Sequence, residues 1–67
     1  MFNKNHFQAK YIEHGLNAAD VAKIMGINPA TLSRKMNGES DFTRSEIQLF
    51  RSKLGLSARE IDYIFFC

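Results

Sequence analysis

The run Met25-Gly26-Ile27, followed at once by Asn28 and Pro29, restricts this chain more than any other feature. Glycine takes the left-handed backbone at a helix C-terminus at little steric cost, so a helix reaching Met25 ends at Gly26. Asparagine is a strong N-cap. Proline at the next position gives up only an N–H that the first turn leaves unpaired anyway. One helix must therefore stop and another start within a few residues, and the second stops in turn at Asn37-Gly38. The spacing predicts helices over about 17–25 and 28–37.

Helix, short glycine turn, helix is the pattern that sets a second helix into the DNA major groove. With Leu32 pointing inward, Met36 falls on the same side and Asn28 close to it. Ala30, Ser33, Arg34 and Asn37 then face away. That outer face is small and polar, with one arginine and no acid. A helix entering a groove needs such a face, because bulk blocks approach and carboxylates repel phosphate. Arg34 has the donors to pair bidentately with guanine, and Thr31 or Ser33 can meet a base edge or a phosphate. Taken alone, the same residues describe a solvated surface helix equally well.

Sixty-seven residues make one domain. A chain this short buries roughly 60% of its unfolded surface, which leaves little room for an enclosed active site beside the core. No carboxylate pair, nucleophile–base arrangement or phosphate-binding glycine loop is present, so no enzyme is expected. The formal net charge of +2 permits nucleic-acid binding without demanding it. The one cysteine, Cys67, excludes an internal disulfide and a cysteine-based metal cluster. His6 and His14 lack partners at metal-ligand spacing, and no metal or cofactor is expected. No signal peptide and no membrane-spanning apolar run stand out, which makes the expected location cytoplasmic, with no membrane partner.

In chain order, residues 4–14 read as a first helix with Phe7, Tyr11 and His14 on one side and Gly15 at its end. Asn17 caps the second helix, Asp20 answers it, and Val21, Ala22, Ile24 and Met25 form the buried side. The loop 38–42 offers Phe42 as an anchor. Thr43-Arg-Ser-Glu46 and Ser57-Ala-Arg-Glu60 are full capping boxes. They open a fourth helix striped by Ile47, Phe50 and Leu54, closed by Gly55, and a fifth carrying Ile61, Ile64 and Phe65. The expectation is an all-α, five-helix domain over 1–67 with no strand. Leu49, Tyr63 and Phe66 fall off these stripes. Either the fifth helix buries both of its sides, or these three form a protein interface, a homodimer seam or a docking face.

Gly15-Leu16, Val21-Ala22, Met25-Gly26-Ile27-Asn28, Thr31-Leu32-Ser33-Arg34, Asn37-Gly38 and Leu54-Gly55-Leu56-Ser57 resemble the Cro/repressor (Xre-type) helix-turn-helix family of phage and bacterial regulators. The resemblance covers roughly residues 7–65. The run from Thr31 to Gly38 and the Ile64-Phe65-Phe66 ending look most like small phage regulators of the lysis–lysogeny switch. What this implies is a compact lambda-repressor-like domain acting as a Cro-like, sequence-specific transcriptional regulator. It implies that Asn28, Pro29, Ala30, Thr31, Ser33 and Arg34 face the bases of a double-stranded operator. Asn17 and Ala18, with Asn37 and Ser40, would meet the phosphate backbone.

Two positions depart from the family pattern. Glutamine often stands where Ala18 is, and the Pro29 position is often a polar base reader, so the contact set is thinner here. From Lys23 to Gly38 there are three basic residues and no acid, which suits a phosphate-facing side. Each neutralised phosphate contributes about one unit of salt slope, so one copy binds weakly. Affinity would come from a homodimer on a palindromic site with half-sites about 34–36 Å apart. The departures, the low charge and the apolar C-terminal residues keep a second expectation open. That alternative is an antirepressor or modulator that keeps the fold and acts by binding a partner repressor protein.

Overall fold

Every helix of this chain starts at a side-chain cap. The computed structural model describes residues 1–66, and Cys67 lies outside them. Helices α1 (Lys4–Glu13), α2 (Ala18–Met25), α3 (Pro29–Met36), α4 (Arg44–Leu54) and α5 (Ala58–Phe65) follow one another, with no strand among the described residues. Asn17, Thr43 and Ser57 close reciprocal capping boxes with Asp20, Glu46 and Glu60, as their spacing predicts. Asn28 Oδ1 accepts the Thr31 N–H at 2.8 Å. One cap was not expected: Asn3 Oδ1 accepts the His6 N–H at 3.0 Å and starts α1. The second helix is thus one residue shorter than its predicted span and the third two, because Asn17, Asn28 and Asn37 stand outside them as caps.

The turn between α2 and α3 depends on Gly26, whose φ is +74°. Its N–H donates to Lys23 O, and the Ile27 N–H reaches back to Ala22 O at 2.9 Å. This pair of bonds satisfies the last carbonyls of α2 while the chain reverses. The geometry requires the left-handed region, where any side chain is strained even though space is available.

Phe7, Val21, Leu32, Phe50 and Ile64 are the most deeply buried side chains, and they come from all five helices. Ala22 is buried too, and its small side chain lets α2 pack against both α3 and α4. The centre is aromatic. Phe7 lies 4.8 Å from Phe50 and 5.8 Å from Phe65, ring centre to ring centre. Phe2, ahead of α1, and Phe42, the anchor from the loop after α3, close the cluster at 4.9 Å from each other. Offset and edge-on rings at these distances attract beyond their burial. The Asn3 N–H to Ile64 O bond of 2.7 Å and the Lys10–Glu60 ion pair of 2.9 Å hold α1 to α5.

One expectation is corrected and one open choice is narrowed. His14 is exposed and does not share the buried side of Phe7 and Tyr11, because the helix ends at Glu13 and its Nδ1 turns to the Lys10 carbonyl, 2.9 Å away. Nor does α5 bury both sides: Tyr63 is 49% and Phe66 63% exposed. No helix of the structure is long and apolar enough to cross a membrane.

Candidate nucleic-acid interface

The orientation of α3 is set by Leu32 and Met36, which point into the core beside Val21 and Met25 of α2. That leaves Asn28, Pro29, Ala30, Ser33, Arg34 and Asn37 exposed, with Thr31 half-buried. Asn28 therefore stands outside and not close to the Met36 side, because its oxygen is spent on the cap. Its amide NH₂ makes no hydrogen bond among the described residues, and the same holds for Asn17, whose oxygen accepts the Asp20 N–H. The Arg34 guanidinium touches Thr31 Oγ1 only at 3.4 Å, so most of its donors remain free. No acid stands in the first turn of α3.

Lys35 overturns part of the expected charge pattern. It does not stand on the expected phosphate-facing side: only 9% of it is exposed. Its Nζ lies 2.8 Å from Glu46 Oε1, donates to Asp41 O at 2.9 Å and sits 6.0 Å from the Phe42 ring centre. Burial pushes the Glu46 carboxyl up, but the Lys35 ammonium and the Thr43 N–H outweigh it and hold it below the usual range. The same carboxylate caps α4 and neutralises the end of α3, so it fixes the loop between them. Of the three basic residues in 23–38, Lys23 and Arg34 alone face solvent.

The missing cation comes from α1. Lys4 Nζ donates to Asn37 Oδ1 at 2.9 Å. Lys4 and Gln8 line one hollow of about 220 Å³ with Ala18, Pro29, Ser33 and Asn37. The short side chain at Ala18 leaves this space open, and a glutamine from α1 borders it. The structure thus gathers four predicted residues here and adds Lys4 and Gln8, which the sequence reading missed. Lys4, Gln8 and Tyr11 share one side of a helix by spacing, but only the packing shows what that side meets.

Ser40 does not join this group. It lines a separate hollow with Phe2, Phe42 and Phe66, and exposed Glu39 and Asp41 flank it. Carboxylates on either side make it a poor phosphate contact. The predicted interface trio also divides. Tyr63 and Phe66 share a shallow hollow with Arg59 and Asp62, and the Tyr63 ring meets His6 edge-on at 4.5 Å. Leu49, 48% exposed, does not line the three hollows that Phe66 borders. It lies roughly 200° around α4 from Ile47, and Ile47 is the residue that borders Phe66. Among the described residues no group of three or more His, Cys, Asp or Glu side chains is placed to hold a metal ion.

No protein-family model matches the chain, and neither does any curated protein or solved structure.

Proposed function

We propose that this protein is a sequence-specific DNA-binding regulator that lays α3 in the major groove of a double-stranded operator. One observation supports this above the rest. The outward side of α3 is built from Ala30, Ser33, Arg34 and Asn37, without bulk or acid, on a helix whose other side is locked into the core. Arg34 reads a guanine edge, Thr31 and Ser33 meet neighbouring base or sugar groups, and the Asn17 and Asn28 amides donate to phosphate. Lys4 at the Asn37 end supplies the charge that Lys35 withholds. The fold measures 27 × 24 × 21 Å, small enough for one copy to occupy one half-site, and a palindromic operator would take two copies on half-sites about 34–36 Å apart.

Selection of duplexes from a random library, followed by gel shifts at two salt concentrations, tests the reading. The expected outcome is one palindromic sequence class. With Lys4 and Lys23 on phosphate in each of two copies, the salt slope is roughly −4. Retention of all duplexes alike, or of none at low salt, ends it.

A second reading rests on a different observation, the exposed aromatic pair Tyr63 and Phe66. In it the protein acts by docking on another regulator. Sedimentation of the wild type and of Phe66→Ser, alone and with candidate repressors, separates the two readings.

A further inference from the structure

The hollow between α4 and α5 has a chemistry unlike that of α3. Phe42, Ile47, Ile61 and Phe66 form its floor, Arg44, Gln48 and Arg51 its rim, and its volume is about 340 Å³. Ile61 is buried beneath, Ile47 and Phe42 are half-buried, and Phe66 stands largely against water. An apolar floor open to solvent is the feature of a surface that something covers.

The rim says what kind of partner. No carboxylate lines this hollow, and neither Arg44 nor Arg51 makes an ion pair among the described residues. The Arg51 Nε–H donates to Leu56 O at 3.2 Å, which fixes the guanidinium at the α4–α5 turn and leaves its outer donors free. Seven residues separate the two arginines, so they share one side of α4 about 10.5 Å apart along its axis. That is two helical turns, the spacing of positions i and i+7 on another helix.

Two alternative occupants fit worse. A second copy meeting this face symmetrically would bring its own Arg44 and Arg51 against these, and like charges in contact oppose association. A DNA backbone would answer the arginines but leave Ile47 and Phe66 against water. We infer that this groove takes an acidic amphipathic helix of a partner protein, its apolar stripe on Ile47, Ile61 and Phe66 and its carboxylates on Arg44 and Arg51. The inference is independent of the DNA reading, and it gives the protein-docking reading its partner chemistry.

The test uses the full chain and two short helical peptides. Both carry leucines at i, i+3 or i+4 and i+7, one flanked by glutamates spaced seven apart, the other by lysines at those positions. The glutamate peptide is expected to bind about tenfold or more tightly than the lysine peptide, and to shift the amide resonances of Ile47, Gln48, Ile61 and Phe66. Arg44→Glu leaves Arg51 as the one rim cation and removes most of the preference, and Phe66→Ser weakens the glutamate peptide about tenfold. Both residues are exposed, and a glutamate suits the first turn of α4, so both variants melt like the wild type. Equal binding of the two peptides, no binding of the glutamate peptide, or an unchanged preference in Arg44→Glu overturns the inference. A duplex that shifts the same resonances assigns the groove to nucleic acid and overturns it as well.

Discussion

Helices α3 and α5 are both eight residues long, both open on a side-chain cap, and both bury three residues, yet they turn opposite chemistries to water. The outer side of α3 is alanine, serine, arginine and asparagine, with no acid in its first turn. That of α5 carries Arg59, Asp62 and Tyr63, with Glu60 in its first turn and Phe66 just past its end. Their inner sides differ too. α5 buries Ile61, Ile64 and Phe65, whereas α3 buries Leu32 and Met36 beside a charged Lys35 that needs Glu46. Folding constrains the inner stripes alone, so the outer surfaces are where sequence is free to serve binding. Two helices with the same local construction therefore present different outer faces, one small and polar, the other charged with an aromatic ring beside it.

The comparison breaks hardest at Leu32. Leu32→Ala removes the contact that anchors α3 and is expected to cost about 2–5 kcal/mol by denaturant melting. That is a large share of what so small a domain has to lose. Lys35→Ala leaves Glu46 buried without its cation. We expect about 3 kcal/mol, the lower end for a broken buried pair, because the Thr43 N–H still serves the carboxylate. A loss below that of an exposed ion pair would mean the α3 end is not held this way.

Arg34→Ala sharpens the contrast in the other direction. It should leave the melting curve alone and cost about 1–3 kcal/mol of discrimination between operator and scrambled duplex. Equal discrimination by the variant removes Arg34 from the reading face.

Acid titration probes the α1–α5 side. The Ser57 N–H and the Lys10 ammonium hold the Glu60 carboxyl at about 2, below its ordinary 4.5. A carboxyl depressed on folding adds stability that is fully present above about pH 4.5 and is lost as the pH falls toward 2. Glu60→Gln should flatten part of that acid limb in thermal melts, and an unchanged limb contradicts the assignment. The smallest effect belongs to Phe66→Ser, within about 0.5 kcal/mol in stability because the ring is exposed. Its consequence appears in association alone.

The caps and stops were legible because each is a contact between residues three to five positions apart. Asn17 with Asp20, Thr43 with Glu46 and Ser57 with Glu60 need no tertiary partner to be recognised. Lys35 shows where this ends. It lies three residues from Leu32, on the inward side by spacing, but a lysine there reads as solvated until a carboxylate is seen to meet it. Glu46 was legible as a cap and not as that partner, since the ion pair spans eleven positions between separate helices. Lys4 and Asn37 are thirty-three apart and could not have been paired from the chain. Leu49 was grouped with Tyr63 and Phe66 as an apolar residue off its stripe, and only the folded arrangement shows that two of the hollows at Phe66 are bordered by Ile47 instead.

By itself the sequence determined five helices, most of their caps and stops, and most of the apolar stripe of each, because propensity, capping and period act over a turn or two of chain. Tertiary structure alone decided which charges remain at the surface and which apolar outliers adjoin one another. Those outcomes depend on the angles at which helices cross, set by packing between side chains far apart along the chain.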